Sequence, residues 1–260
     1  MLAERGFQVV RFDNRDAGRS TLFEGGPRAD VMAAAAGDFS SASYTLDEMA
    51  DDCVALLDHL GVEAAHVVGA SQGGMIAQAL AIRHPRRVLS LTSIMSTTGD
   101  RSVGRPHEEA IPVLLERPPA DPEGYADFAV RAWRVIGSPG FEGDEEALRA
   151  RARASFERGI HPRGTARQLV AILASGDRAE GLRELEIPAL VIHGTDDPLI
   201  DVSGGKATAT AIPGAELVLI EGMGHDLPRA LWPRLVDLIA SNADRAGAGA
   251  QASVNPATTS

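Results

Sequence analysis

The stretch AHVVGASQGGMIAQALAIR, residues 65–83, joins a short apolar segment to a helical segment through the motif G-x-S-x-G. Residues 65–70 are typical of a buried strand, and residues 72–83 of a helix that ends before Pro85. In that context the motif forms a sharp turn that exposes the serine hydroxyl at the carboxyl end of a sheet. The sequence therefore predicts that Ser71 is a nucleophile. A chance match in a chain with 27 glycines is the alternative.

Outward from this motif, short apolar segments alternate with helical patterns. Strands are predicted at 7–13, 65–70, 88–95, 187–193 and 215–220, and helices at 46–60, 72–83 and 228–241. Such alternation is typical of a mostly parallel sheet flanked by helices on both faces. The sequence therefore predicts an α/β fold whose core comprises residues 1–96 and 182–243.

Two segments depart from this alternation. Residues 97–181 contain helical patterns and no clear strand, which predicts a helical cap inserted before the last two strands. Its aromatic residues either face a substrate or only pack the cap helices together; they are Tyr125, Phe128, Trp133, Phe141 and Phe156. Residues 244–260 contain almost no large apolar residue, so we expect a disordered tail.

Composition excludes several classes of partner. The formal net charge is -11, from 25 basic and 36 acidic residues, which disfavours nucleic acid and acidic membranes. No apolar run reaches the roughly 18 residues of a membrane helix, and the start of the chain lacks a signal-peptide pattern. Cys53 is the single cysteine, and no Cys/His cluster has zinc spacing. These features predict a cytoplasmic protein that does not bind a metal.

A serine nucleophile at neutral pH requires a base and an acid that orients the base. In this strand order the acid follows a later strand and the histidine follows the next one. Asp197 lies after the strand 187–193, and His225 lies after the strand 215–220. Asp196 and Asp100 are alternative acids, but Asp197 is favoured by its spacing from Gly194 and its position before Pro198.

Four strings resemble the α/β-hydrolase superfamily, and most resemble its actinobacterial branch of aclacinomycin methylesterase-like enzymes. They are FDNRDAGRST (12–21), VVGASQGGMIAQALA (67–81), VIHGTDDPLI (191–200) and IEGMGHDLP (220–228). The resemblance implies an α/β-hydrolase fold with a helical cap, carboxylic ester substrates, and no metal or organic cofactor. It also implies that Ser71, Asp197 and His225 form the catalytic triad and that the Gln72 backbone N–H belongs to the oxyanion hole.

The resemblance extends to the loop that begins at Asp13, where family members often have D-x-R-G-x-G-x-S. This chain has Asp16 at a position where glycine is usual. We interpret the loop as structural rather than catalytic, and we expect Arg15 to pair with a buried carboxylate.

The start of the chain departs from the family pattern. Residues 2–6 are typical of the last turn of a helix with Gly6 as its stop. Family members have about three strands and a loop before this point, and the loop supplies a second oxyanion N–H. A missing strand belongs between 7–13 and 65–70. We therefore expect the natural product to be longer at its amino end; the alternative is a genuine short chain that is inactive or needs a partner.

These observations favour a serine-dependent hydrolase that cleaves a small-molecule carboxylic ester through an acyl-serine intermediate. Other chemistry on the same fold is an alternative, such as a cofactor-free haloperoxidase or a C–C bond hydrolase. A non-catalytic ligand-binding module is a third possibility. Ser71 argues against haloalkane dehalogenases and most epoxide hydrolases of this fold, because those enzymes have aspartate at the elbow.

Overall fold

The computed structural model describes the backbone of residues 1–252 and the side chains of residues 1–247. Its sheet has four parallel strands in sequence order: β1 (Ala65–Ala70), β2 (Val88–Ile94), β3 (Ala189–Gly194) and β4 (Glu216–Ile220). The α-helices are α1 (Val31–Ala35), α2 (Leu46–His59), α3 (Gln72–Arg83), α4 (Ile111–Leu115), α5 (Pro122–Ile136), α6 (Glu145–Arg158), α7 (Pro162–Ala174), α8 (Ala179–Arg183), α9 (Val202–Ala211) and α10 (Trp232–Ala252). Parallel neighbours require a crossover between each pair, and α3 and α9 provide two of these crossovers.

Two apolar clusters cover the two faces of the sheet. One contains Leu46 and Met49 of α2, much of α3, and Leu91 of β2. The other contains Leu190 and Ile192 of β3, together with Leu231 directly before α10 and Leu235 at its start. Side chains alternate across a strand, so a sheet buried on both faces needs the nearly continuous apolar strands that this sequence has. The predicted α/β architecture is confirmed.

The predicted strand at 7–13 is wrong. Residues 7–12 have no regular secondary structure, and Val9, Val10 and Phe12 are exposed. A strand is stabilised by ladder hydrogen bonds, and among residues 1–252 no strand lies beside this stretch to form them.

The segment between β2 and β3 is helical, as the sequence predicts. Asp121 accepts a hydrogen bond from the Gly124 N–H and caps α5, which stops before Gly137. Asp144 caps α6 in the same way, and that helix ends at Arg158, directly before Gly159. Aspartate at the N-cap satisfies a backbone donor that the helix leaves free, so these two starts were readable from the sequence.

The prediction of a disordered tail from residue 244 is wrong for its first part. Helix α10 continues to Ala252, and Arg245 in this part of the helix donates hydrogen bonds to the carbonyls of Ala189 and Gly214. Residues 253–260 lie outside the described residues. No described helix combines the length and the hydropathy that crossing a membrane requires.

Candidate active site

Ser71 occupies the turn between β1 and α3 in a strained conformation. Its φ of 54° and ψ of -122° lie where a side chain crowds the backbone. The Ser71 N–H donates to the Ile94 carbonyl at 2.8 Å, which anchors the turn to the end of β2. Gly69 permits this turn, because a Cβ at that position would lie 2.0 Å from the Gly73 carbonyl oxygen. A Cβ at Gly73 would meet no atom within 4 Å, so only the first flanking glycine is required by crowding.

The structure brings Ser71, His225 and Asp197 into one chain of hydrogen bonds. The Nε2 atom of His225 lies 2.9 Å from the Ser71 Oγ, and its Nδ1 lies 2.8 Å from the Asp197 Oδ2. A carboxylate only accepts, so Nδ1 donates its proton to Asp197 and Nε2 is left to accept from the serine hydroxyl. The arrangement can therefore move a proton from the serine to the imidazole.

Asp197 is held rigidly at the end of β3. Its side chain is fully buried, and its Oδ1 accepts from the backbone N–H groups of Leu199 and Ile200, each at 2.9 Å. The other oxygen, Oδ2, is thereby left facing His225. These bonds fix the orientation of the carboxylate, although it lies out of solvent.

Neither alternative acid contacts His225. The carboxylate of Asp196 is exposed and accepts from the Thr195 hydroxyl and the Gly222 N–H. Asp100 accepts from the backbone N–H and the hydroxyl of Ser102. Both aspartates thus satisfy local loop donors, which is the usual role of aspartate in turns.

The Gln72 N–H begins helix α3 directly after Ser71. Within the described residues this N–H donates to no backbone or side-chain acceptor. The first N–H groups of a helix have no partner inside the helix, and they carry the positive end of its dipole. A negatively charged oxygen formed beside Ser71 would meet this free donor.

His193, which the sequence pattern did not single out, lies beside Asp197. Its side chain is fully buried, its Nε2 donates to the Ile200 carbonyl at 2.8 Å, and the same atom lies 3.5 Å from the Asp197 Oδ2. Burial lowers the pKa of His193, which keeps its ring neutral. A histidine inside the otherwise apolar strand IPALVIH was the available signal.

The loop after Asp13 is built differently from the expectation. Arg15 pairs with Asp52 at 2.6 Å, but that carboxylate is 42% exposed, so the predicted buried partner is wrong. The buried carboxylate is Asp16 itself, with φ of 66°, and it accepts two hydrogen bonds from Arg167 of α7 and one from Tyr44. The left-handed backbone explains why glycine is usual here.

The aromatic residues of the helical segment have two different environments. Tyr125 packs against Phe128 and Phe156 with ring centroids 6.0 and 5.8 Å apart, which joins α5 to α6. Trp133 instead donates its indole N–H to Asp226, the neighbour of His225. The first three rings therefore favour the packing interpretation.

A separate cleft of about 1210 Å³ is lined by residues 22–31 (except Asp30), 114–118 and 160–169 (except Gln168). None of the three residues of the hydrogen-bonded chain lines this cleft. Among the described side chains, no group of three or more His, Cys, Asp or Glu has an arrangement that would hold a metal.

Known proteins resemble this chain over most of its length. A family profile described as the alpha/beta hydrolase fold matches residues 1–228. The rhodomycin D methylesterase DauP of Streptomyces sp. (strain C5) is 31% identical over 261 residues, covering 93% of this chain and 83% of that protein. A 2-hydroxymuconate semialdehyde hydrolase of Pseudomonas sp. (strain CF600) is 32% identical over 195 residues, 72% of this chain and 64% of that protein.

A solved structure gives the same fold. A hydrolase from Pseudomonas aeruginosa PA01 superposes with a TM-score of 0.68 at 25% identity, covering 93% of this chain and 81% of that one. The strand order, the serine turn and these relatives agree, and the chain belongs to the α/β-hydrolase fold family.

Proposed function

We propose that this protein is a serine hydrolase that cleaves a carboxylic ester, with Ser71 as nucleophile, His225 as base and Asp197 as acid. The hydrogen-bonded chain from the Ser71 Oγ through His225 to Asp197 is the observation that carries the proposal. The methylesterase relative supports ester hydrolysis in general, and it makes a methyl ester the first substrate class to test.

The proposed reaction has two halves. The Ser71 Oγ attacks the ester carbonyl carbon while its proton passes to the Nε2 of His225, and the Gln72 N–H donates to the resulting oxyanion. The intermediate collapses when the C–O bond to the alcohol breaks, and the imidazolium protonates the departing oxygen. Water then attacks the acyl carbon while His225 removes its proton. The bond between the acyl carbon and the Ser71 Oγ breaks, the imidazolium returns the proton to this Oγ, and the carboxylic acid leaves.

We further propose that residues 97–181 form a cap over this site. Two observations support it: the segment between β2 and β3 is helical, and the end of α5 lies against the loop that carries His225. A cap of this kind excludes water and shapes the pocket that selects the alcohol or acyl group.

Labelling with a fluorophosphonate tests the nucleophile. We expect the reagent to attach to Ser71 in the wild-type protein and Ser71→Ala to lose both labelling and hydrolysis of an activated ester. Ser96, which is buried and has no hydrogen-bond partner among the described residues, provides the matched control Ser96→Ala, which should keep both. Mass-spectrometric detection of the label on another serine would contradict the assignment.

Hydrolysis of a C–C bond is a second candidate, favoured by the similarity to the 2-hydroxymuconate semialdehyde hydrolase. Both reactions need a nucleophile or base beside an oxyanion donor, so the site geometry fits either. Incubation with a methyl ester and with a vinylogous diketone, followed by product analysis, separates them. Release of methanol supports the ester hydrolase, and cleavage of the diketone with no ester turnover supports the second candidate.

A further inference from the structure

Asp226, the residue after His225, accepts two hydrogen bonds from the helical segment between β2 and β3. Its Oδ2 accepts from the Trp133 indole N–H at 2.9 Å, and its Oδ1 accepts from the hydroxyl of the buried Ser138. An indole N–H only donates, so Trp133 requires an acceptor at this position. The carboxylate thus joins two side chains that precede it by 93 and 88 residues.

The Ser138 hydroxyl also contacts Gly224, the residue before His225. The N–H of Gly224 donates to the Ser138 Oγ at 2.8 Å, so the serine accepts from one neighbour of His225 and donates to the other. A hydroxyl that accepts one bond and donates another is polarised, which strengthens both bonds.

Main-chain bonds fix the same two segments together. The His225 N–H donates to the Ile136 carbonyl at 2.6 Å, and the Gly140 N–H donates to the Gly222 carbonyl at 2.9 Å. The two backbones are so close that a Cβ at Gly140 would lie 2.6 Å from the Gly222 Cα. The backbone of the catalytic histidine is therefore positioned by the end of α5 and the residues that follow it.

We propose that Asp226 is a positioning residue. Through its bonds to Ser138 and Trp133, it holds the His225 ring where its Nε2 meets the Ser71 Oγ. The proposal rests on the proposed function of His225 as the base. Asp226 does not touch the reacting atoms, but it fixes the loop on which the imidazole sits. A displacement of about 1 Å at a catalytic group can cost about 100-fold in rate, so anchoring this loop has a kinetic consequence.

Steady-state kinetics of Asp226→Ala test the proposal. We expect kcat for an activated ester to fall about 10- to 100-fold while KM changes less than about twofold, because the substrate contacts remain and only the base is displaced. Asp226→Asn should recover much of the rate, since its carbonyl still accepts from Trp133 and its amide can donate to the Ser138 oxygen. Glu221→Ala is the matched control: Glu221 is an exposed acid of the same loop and makes no side-chain bond with the described residues.

A readout independent of turnover separates this proposal from the proposed function. The Nδ1 proton of His225, hydrogen-bonded to Asp197, should give a downfield NMR signal in the wild-type protein that is lost or broadened in Asp226→Ala. Trp133→Phe keeps an aromatic ring and removes only the indole donor to Asp226, so it should weaken the signal less. This variant provides the test if Asp226→Ala fails to fold. If the wild-type protein shows no fluorophosphonate labelling, the proposed function fails. An unchanged His225 signal in folded Asp226→Ala overturns the positioning role, whatever the activity.

Discussion

Asp196 and Asp197 are adjacent in the chain, yet their carboxylates face different partners. Asp197 is buried and points one oxygen at two backbone N–H groups and the other at His225. Asp196 is exposed and bonds Thr195 and Gly222. A single step along the backbone thus separates the proposed acid of the triad from a residue that only shapes a turn.

We expect Asp197→Asn to lower kcat by about 10⁴-fold, because an amide at this position presents the wrong partner to Nδ1 and favours the wrong tautomer of His225. Asp196→Asn should change kcat less than about threefold, since it loses only exposed loop bonds. Steady-state kinetics with an activated ester give kcat for both variants and for the wild-type protein. The reverse ranking would assign the acid role to Asp196.

At the scale of elements, the turn between β1 and α3 depends on one close backbone contact. Gly69 lies against the Gly73 carbonyl, whereas the space beside the Cα of Gly73 is open. The motif G-x-S-x-G therefore contains two glycines with different physical roles.

Substitution by alanine should distinguish the two glycines. Gly69→Ala forces a Cβ onto a backbone oxygen, so we expect a loss of about 1–3 kcal/mol or more in the free energy of unfolding, together with loss of activity. Gly73→Ala should keep the stability or raise it by about 0.5–1 kcal/mol, because alanine is favoured over glycine inside a helix. Urea denaturation compares the two, and equal destabilisation would contradict the structural difference.

The elements around the site were predictable because their signals are local. The turn at Ser71 and the aspartate caps of α5 and α6 depend on residues within a few positions. The bonds from Trp133 and Ser138 to Asp226 join positions about 90 residues apart, and no local pattern indicates them. The wrong strand at 7–13 has the same origin, since strand propensity is local but strand pairing is not.

At the scale of the whole molecule, a buried ion pair ties the loop after Asp13 to the helical segment. Asp16 and Arg167 of α7 are 151 residues apart, and the Asp16 side chain is fully buried. Burial raises the pKa of the Asp16 carboxyl, but hydrogen bonds from Arg167, Tyr44 and the Phe23 N–H outweigh this and lower it to about 2. The folded state therefore favours the ionised carboxylate more than the unfolded state does.

This shift predicts an acid-sensitive contribution to stability. Relative to the ordinary pKa of 3.8, the shift corresponds to about 2 kcal/mol, which is fully present above pH 4 and is lost as pH falls towards 2. Asp16→Asn should therefore be less stable than wild type at pH 5–7, and the difference should shrink below pH 4. Unfolding free energies measured by urea between pH 7 and pH 3 check this. If the stability difference between wild type and Asp16→Asn stayed constant or grew as pH falls, the lowered pKa of Asp16 would be contradicted.

The contact between residues 136–141 and 222–226 sets the boundary for recombining parts of this protein with those of its relatives. A chimera that exchanges all of 97–181 removes the Ser138 that bonds Asp226, so the loop of His225 then packs against a segment from another protein. A graft limited to α6 and its neighbouring loops leaves the support of His225 in place. The part of residues 97–181 that can be exchanged without disturbing His225 is therefore smaller than the whole helical segment.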